Sequence, residues 1–329
     1  ATLTMTTSDL TNFDGPAEFD TDVIDITVEN PPTVQFQVSP PLTVTETDQG
    51  TVTTFNVILT RDKIGAESTV LISDTNSGTA TSGVDYNAII ANTPVTFTAN
   101  QTTATFTITI IGDDVVEFNE TIDLAITGVF FNAIIDPSAQ NSAEVTINDN
   151  DQAILNINTV TQQENEDTGD GAGVYRFTAS LSNLVDADVS VDATTQDGSA
   201  YVIGGAGTGV GNDDYTLFDN TITINQLTSS IDFLVNVTTD TIVELDEYFD
   251  VIMSSLSASG LNVILGTNGR GNIINDDQAI LSILGQDVVE TDNGSTTTMT
   301  FTLALDHQVA GEIGITAATQ DLDATVVDN

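Results

Sequence analysis

The chain has 329 residues, of which 49 are acidic, four are lysine or arginine and one is histidine, so its formal net charge is -45. A polyanion repels phosphate, which excludes electrostatic binding to nucleic acid or to an anionic membrane surface. Cysteine is absent, which excludes disulfides, thiolate metal sites and cysteine nucleophiles. No apolar run approaches the roughly 20 residues that span a bilayer, so direct membrane insertion is not expected.

Segments of alternating apolar and polar residues follow one another along the chain. Residues 53–59, 95–98, 104–111 and 230–237 alternate with a period of two and are rich in β-branched side chains, which predicts strands. Turns of Gly, Asn and Asp separate them, and no window carries a helical stripe with caps. Units of about 120 residues with about seven short strands predict an all-β fold of tandem immunoglobulin-like antiparallel β-sandwiches.

An internal repeat organises the chain. An acidic run followed by Gln152-Ala-Ile154 recurs before Gln278-Ala-Ile280, a spacing of 126 positions. The repeat predicts four parts: the end of one unit in 1–32, complete units in 33–151 and 152–277, and the front of a further unit in 278–329. The second complete unit carries a glycine-rich insertion, Gly204-Gly-Ala-Gly-Thr-Gly-Val-Gly211, which is interpreted as an elongated exposed loop. We therefore expect an excerpt of a longer tandem array.

Several motifs occur in a set order within the first complete unit. They are Gly78-Thr-Ala80 with Asp85-Tyr86, the strand pair that leads into Asp113-Asp114, Glu117-Phe-Asn-Glu120, and Asp149-Asn-Asp151. In these motifs the chain resembles the Calx-beta domain, which was named for the calcium-binding regulatory domains of sodium–calcium exchangers and is common in tandem on bacterial surface proteins. The resemblance covers essentially the whole chain. It implies β-sandwiches that bind Ca²⁺ through carboxylates on loops at one end.

The resemblance also implies a set of calcium ligands, since Ca²⁺ takes six to eight oxygen ligands. In the first complete unit the implied ligands are Glu46, Asp113, Asp114, Glu117, Glu120, Asp149 and Asp151. In the second they are Glu164, Asp197, Asp240, Glu244, Glu247, Asn275, Asp276 and Asp277, and Glu290 begins the next set. Ser77 stands at the family's mid-domain aspartate, and the turn around Asp240 is less acidic, which implies fewer or weaker ions.

Two other interpretations of the carboxylates remain open at this point. They could merely solvate loop ends, but their common register in two units favours a site, because clustered carboxylates are costly without a cation. They could be the paired acids of a glycosidase. However, they recur once per unit, as structural sites do, and the single His307 cannot supply a repeated triad. We therefore expect no enzyme.

The position of the terminal acidic run suggests its purpose. It ends one unit, and the next begins after Gln152, which leaves no flexible spacer. Calcium is therefore expected to rigidify the joints of a secreted or cell-surface protein, such as an adhesin stalk, fibre or surface layer. Regulatory calcium-sensor domains of a membrane-associated protein are the alternative. The expected partners are calcium ions, neighbouring repeats, and other copies of the chain that complete 1–32 and 278–329 in a filament or donor-strand assembly.

Overall fold

A computed structural model of the protein describes residues 2–8, 19–25, 29–135, 140–163, 173–204, 213–289, 294 and 296–318. Every regular element in this part of the chain is a strand, so the predicted all-β fold is confirmed. The strands form two compact units. No helix among the described residues has the length and apolar character required to cross a membrane.

The first unit is a sandwich of two sheets. Its strands are β1 (Thr2–Ser8), β2 (Phe19–Asp25), β3 (Thr33–Phe36), β4 (Leu42–Thr45), β5 (Val52–Arg61), β6 (Ser68–Asp74), β7 (Thr93–Phe97), β8 (Thr103–Ile111), β9 (Glu120–Phe130), β10 (Ile134–Ile135) and β11 (Ser142–Asn148). One sheet has the order β10-β3-β5-β8 and the other β4-β11-β9-β6-β7, while β1 and β2 pair only with each other among the described strands. Pairing is antiparallel except for β10 with β3 and β11 with β4.

The second unit repeats this architecture. Its strands are β12 (Ala153–Ile157), β13 (Thr159–Gln163), β14 (Val174–Leu181), β15 (Val189–Asp197), β16 (Asp219–Ile224), β17 (Ser230–Asn236), β18 (Glu247–Ser257), β19 (Val263–Leu265), β20 (Gly269–Ile274), β21 (Leu281–Leu284) and β22 (Thr302–Leu305). The sheets have the orders β17-β14-β12-β19 and β13-β20-β18-β15-β16, and β21 pairs with β22 in a separate hairpin. The strand order within each sheet is therefore the same in both units.

The apolar side chains of the alternating segments fill the core of each sandwich. In β8, Ala104, Phe106, Ile108 and Ile110 are buried, and the threonines between them are exposed or half-buried. Burying each large apolar side chain contributes about 1.5–3 kcal/mol, which drives the sheets together. In the second unit Phe249 lies in the core, with its ring stacked 4.4 Å from the ring of Tyr215. That contact fixes the backbone next to Asp214, the buried residue before Tyr215.

Candidate metal centre

The strand directions bring several acidic loop ends to one edge of a sheet in the first unit. Because β9 runs antiparallel to β11, Glu120 lies opposite Ile147. Because β4 runs parallel to β11, Thr45 lies opposite Asn148. The ends of β4 and β11 and the start of β9 therefore meet, and the carboxylates predicted as ligands occupy the residues that follow or begin these strands.

Three of these carboxylates form a group that we call the terminal group: Glu46, Asp149 and Asp151. Each offers one oxygen, and these oxygens lie within 4.8 Å of one another. Glu46 and Asp151 are buried, each with 8% of its surface exposed. The backbone N–H of Glu46 donates to the carbonyl of Asn148 at 3.1 Å, which holds the end of β4 against the end of β11. The structure thus brings together three of the predicted ligands.

A second group, the mid-domain group of the first unit, consists of Asp85, Glu117 and Glu120, and one oxygen of each lies within 4.8 Å of the others. Asp85 is buried, and its carbonyl accepts a hydrogen bond from the N–H of Ile111 at 2.9 Å. This bond places Asp85 beside the end of β8, just before the acidic turn that carries the glutamates. Glu117 and Glu120 were predicted as ligands, whereas Asp85 was not.

The mid-domain group of the second unit has the same composition: Asp214, Glu244 and Glu247, again within 4.8 Å. The carbonyl of Asp214 accepts from the N–H of Thr238 at 2.8 Å, which repeats the bond made by Asp85. The N–H of Glu244 donates to Oδ1 of Asn275 at 3.0 Å, which ties the turn to the residue after β20. Two independent sequences therefore build one arrangement.

The remaining predicted ligands lie outside these three groups or outside the described residues. Glu164 and Glu290 belong to the latter class. Among the others, Oδ1 of Asp240 accepts the N–H of Ile242 at 2.7 Å. Burial is the largest cause of the raised pKa of Asp214 and of Asp277, and the charge of Asp240 raises both further. Acidic residues in or beside the turns that join none of the three groups are Asp113, Asp114, Asp240, Asp276 and Asp277. A further predicted ligand is Asn275, whose Oδ1 accepts from the N–H of Glu244. As metal ligands all of these residues stay predictions.

Asp197, which the resemblance implied as the mid-domain ligand of the second unit, lies outside the mid-domain group. Its Oδ1 accepts the hydroxyl of Tyr215 at 2.6 Å and the N–H of Val202 at 2.9 Å. Asp214 occupies the mid-domain group instead, as Asp85 does in the first unit. The signal that could have found both is the Asp-Tyr dipeptide, which occurs at 85–86 and again at 214–215. The dipeptide contributes to the resemblance, but its aspartate is not among the ligands that the resemblance implied.

A steric constraint explains why glycine begins each Gly-Thr-Ala or Gly-Ser-Ala motif. A Cβ on Gly78 would overlap the carbonyl oxygen of Thr121, and one on Gly198 would overlap the ring and carbonyl of Tyr248. Each of these neighbours follows the second glutamate of a mid-domain group. The N–H of Ala80 donates to Thr121 at 3.0 Å, and the matching bond in the second unit is also 3.0 Å. The glycine thus lets the loop lie against the strand that starts with the ligand.

We expect Gly78→Ala to lower the free energy of unfolding by about 2 kcal/mol, because the added methyl group overpacks a backbone contact. Calcium affinity should fall with it, since the displaced strand begins at Glu120. The control is Gly128→Ala, whose added Cβ would lie 3.4 Å from the Leu71 side chain, an ordinary contact. Urea denaturation with and without calcium measures both variants. Equal effects of the two substitutions would contradict the steric explanation.

The chemistry of the three groups suits a hard divalent cation. Every donor is a carboxylate, with no nitrogen or sulfur ligand in any group. Ca²⁺ binds oxygens at about 2.3–2.6 Å, so two oxygens on one ion lie at most about 5 Å apart. The 4.8 Å limit within each group meets this requirement. Zinc and other softer ions favour imidazole or thiolate ligands, which these groups do not offer.

Burial makes the ionised form of Asp214, in the mid-domain group of the second unit, unfavourable. Desolvation raises the pKa of Asp214, the charges of Asp240 and Asp213 raise it further, and hydrogen bonds with the Tyr201 N–H and Glu247 oppose the shift. A carboxyl group with a raised pKa holds its proton more tightly in the folded chain than in the unfolded chain. The ionised form is therefore strained when no cation is bound.

This shift predicts how the stability of the metal-free protein depends on pH. Between the usual value of 3.8 and the raised pKa of Asp214, the folded chain binds more protons than the unfolded chain. The contribution of Asp214 to the free energy of unfolding therefore falls as the pH rises through this window. Urea denaturation in chelator between about pH 4 and pH 7 checks the slope. Asp214→Asn should lack this contribution, and a slope unchanged by that variant would contradict the assignment.

The comparisons with known proteins agree with this geometry. A sequence model of the Calx-beta domain matches residues 27–151 and again residues 156–278. The chain belongs to the Calx-beta family. The predicted resemblance and the presence of two tandem copies are thereby confirmed. Calx-beta domains bind Ca²⁺, and the family is not a catalytic one. The three carboxylate groups are the places in this Calx-beta chain where the side chains fit that ion.

Several solved structures are similar to this chain. The apo form of the Calx CBD1 domain is 22% identical, with a TM-score of 0.31 over 38% of this chain and 98% of that one. CBD12 from CALX1.2 is 15% identical, with a TM-score of 0.32 over 74% and 99%. The titin I-band fragment I67–I69 is 10% identical, with a TM-score of 0.29 over 80% and 71%. No curated protein sequence matches the chain. At these identities and TM-scores the likeness carries no conclusion about function.

Proposed function

We propose that this chain is a non-enzymatic structural segment of a large extracellular or cell-surface protein, in which calcium rigidifies the joints between repeats. The observation that carries the proposal is the place of the terminal group in the chain. Asp151 belongs to that group, and only Gln152 separates it from Ala153, the first residue of β12. An ion held by this group therefore restrains the backbone directly before the next repeat, since one residue leaves no spacer.

Electrostatics provides the driving force for such a joint. Without a cation, three partly or fully buried carboxylates repel one another at distances where the effective dielectric is well below that of water. Calcium removes this repulsion and supplies attraction to each carboxylate. The residues on either side of the connection then favour a single arrangement. The net charge of -45 makes the same neutralisation favourable along the whole array.

Contacts within the second unit support a repeated use of the acidic turn. Val243 lies between Asp240 and Glu244, and its backbone pairs with the loop that follows β22. Its N–H donates to the carbonyl of Gln308, and its own carbonyl accepts from the N–H of Ala310, each at 3.0 Å. The turn that carries a metal ligand is thus bonded to the segment that the repeat pattern predicts to begin the following repeat. Calcium at Glu244 would stiffen that connection as well.

We propose an extracellular location because a structural calcium site must stay filled. Extracellular modules bind calcium with dissociation constants of about 10⁻⁴–10⁻³ M and are filled by the surrounding medium. A permanently filled site suits a structural pin, whereas a sensor requires a site that empties. A stalk, fibre or surface layer exposed to calcium meets that condition. The measurement that decides the location is whether antibodies to this segment label intact cells.

Small-angle X-ray scattering tests the structural role against the sensor alternative. With calcium we expect the profile of a stiff particle, and in chelator the profile of a flexible one with unchanged individual sandwiches. Asp149→Asn combined with Asp151→Asn should remain flexible in calcium, and Glu144→Gln, an exposed carboxylate on β11, is the control. A large rearrangement within a sandwich would support a regulatory sensor. Identical profiles in calcium and chelator would overturn the proposal.

We also propose that the chain associates with copies of itself, because the β21–β22 hairpin exposes an apolar face. Leu281 and Ile283 are 39% and 58% exposed, whereas Leu155 and Ile157, which occupy the matching positions one repeat earlier, are buried. The proposed occupant is the β1–β2 hairpin of a second copy, which pairs antiparallel as β9 and β11 do. Sedimentation should detect association that Ile283→Asp abolishes. A monomer at high concentration would contradict this part of the proposal.

A further inference from the structure

The two mid-domain aspartates are followed by buried tyrosines that make the same unusual hydrogen bond. The hydroxyl of Tyr86 donates to Oδ2 of Asp74, and the hydroxyl of Tyr215 donates to Oδ1 of Asp197 at 2.6 Å. The two tyrosines are 2% and 0% exposed. Burial raises the pKa of each tyrosine, and its aspartate partner raises it further, so both hydroxyls stay protonated as donors.

The backbone of each Asp-Tyr dipeptide is held at a strand end in the same way. Tyr86 bridges antiparallel to Ile110, and Tyr215 bridges antiparallel to Val237. Side chains of successive residues in extended backbone point to opposite sides. A tyrosine ring fixed inside the core therefore turns the preceding aspartate outward, toward the glutamates of its group. The ring's own position depends on its packing and on the hydroxyl bond at its far end.

The carboxylates of Asp85 and Asp214 each accept a hydrogen bond from a backbone N–H earlier in the same loop. This bond is present in both units although the loop differs greatly in length. Oδ2 of Asp85 accepts the N–H of Thr81, four residues earlier. Oδ2 of Asp214 accepts the N–H of Tyr201 at 2.6 Å, and the glycine-rich insertion lies between these two residues. The insertion therefore enters the chain inside a loop whose closing bond is the same as in the first unit. The two loops differ in length, but the aspartate carboxylate accepts the same backbone hydrogen bond in both.

We propose that the pairs Tyr86–Asp74 and Tyr215–Asp197 are positioning groups that hold Asp85 and Asp214 in the orientation required for metal binding. This inference rests on the proposed calcium sites. It assigns Asp197 to the support of a ligand and not to the ligand set. Each bond is charge-assisted and part-buried, with its donor tyrosine in the core, which makes it strong and directional. Such supporting bonds spare the ligand the cost of being ordered when the ion arrives.

The test compares three tyrosine-to-phenylalanine substitutions in the full chain. Tyr215→Phe keeps the ring and removes only the bond to Asp197. The control is Tyr175→Phe, a fully buried tyrosine in the same core whose hydroxyl donates to the carbonyls of Gln162 at 2.8 Å and Asn272 at 3.0 Å. Both variants should lower the melting temperature in chelator. Only Tyr215→Phe should weaken calcium binding at the second unit, by about tenfold, as outer-shell substitutions do. Tyr86→Phe should act on the first unit alone.

A substitution of the acceptor separates the two roles of Asp197. Asp197→Asn keeps an oxygen for the tyrosine hydroxyl and should retain most of the calcium affinity, whereas Asp197→Ala should match Tyr215→Phe. Titration calorimetry with calcium alone measures all five variants. If Asp197→Asn loses far more affinity than Tyr215→Phe, Asp197 is a ligand and the inference is overturned. Unchanged affinity in Tyr215→Phe also overturns it. Failure of the unsubstituted chain to bind calcium would instead refute the proposed function.

Discussion

Calcium added to the metal-free protein should raise the free energy of unfolding by about 2.7 kcal/mol for each site, when free calcium is a hundredfold above the dissociation constant. The physical reason is that each group holds three carboxylates within 4.8 Å, which favours the ion-bound folded state and is lost on unfolding. Residues 33–151 contain two such groups, so the first sandwich should gain about 5 kcal/mol when both are filled. Urea denaturation monitored by tyrosine fluorescence, in calcium and in chelator, measures the difference.

Two controls distinguish ion binding from general screening of charge. Sodium chloride at high concentration screens the net charge of -45, but it should reproduce only a small part of the gain, because buried pairs are screened much less than exposed ones. Magnesium should also stabilise less, since it demands near-octahedral geometry and keeps several of its waters. If sodium chloride gave the same stabilisation as calcium, the carboxylate groups would be solvated loop ends and not metal sites.

Replacing Glu120 by Gln should have opposite effects in the absence and in the presence of calcium. In chelator the variant removes one of three like charges from the mid-domain group, so the free energy of unfolding should rise by about 1 kcal/mol. In calcium it removes a charged ligand, and the affinity should fall by about a hundredfold, which is about 2.7 kcal/mol. The sign of the change therefore reverses with the ion, which a purely structural role of Glu120 would not produce.

The matched control for this experiment is Glu144→Gln in the same sandwich. Glu144 is exposed on β11 and belongs to none of the three groups. Its replacement should leave both the metal-free stability and the calcium affinity within about 0.5 kcal/mol of the unsubstituted chain. Titration calorimetry and urea denaturation give the two quantities independently. Destabilisation by Glu120→Gln in chelator as well as in calcium would show that the carboxylate has a structural hydrogen-bonding role.

The two repeats also differ at the end of each unit, where the terminal group of the first unit forms. Asp149 of the first unit corresponds to Asn275 of the second, and the amide is used as a bridge. Its Oδ1 accepts from the N–H of Glu244, and its Nδ2 donates to the carbonyl of Asp277 at 3.2 Å. A neutral hydrogen bond thus takes the place of one charge. We expect calcium at this end of the second unit to bind more weakly than at the terminal group of the first.

Much of the fold was predictable because it depends on local pattern. The period-two alternation in segments such as 104–111 identifies which side chains are buried, and a sandwich is the arrangement that buries one face of each strand. The spacing of 126 positions identifies the repeat from the sequence alone. The glutamates of the acidic turns were also predictable. Glu117 and Glu120, and likewise Glu244 and Glu247, are three positions apart in a short turn, so chain connectivity already keeps them close.

The identity of the third carboxylate in each mid-domain group was decided by the tertiary structure. Asp197 ends β15 and Asp214 lies shortly before β16, so the second unit offers two aspartates of the same chemistry in one part of the chain. Asp214 reaches the glutamates because the ring of Tyr215 is stacked on Phe249 in the core and its backbone is bonded to the end of β17. Composition and spacing determine that oxygen ligands are available. Which of them face one ion depends on long-range packing, because a one-residue shift in an extended segment turns a side chain from the site into the core.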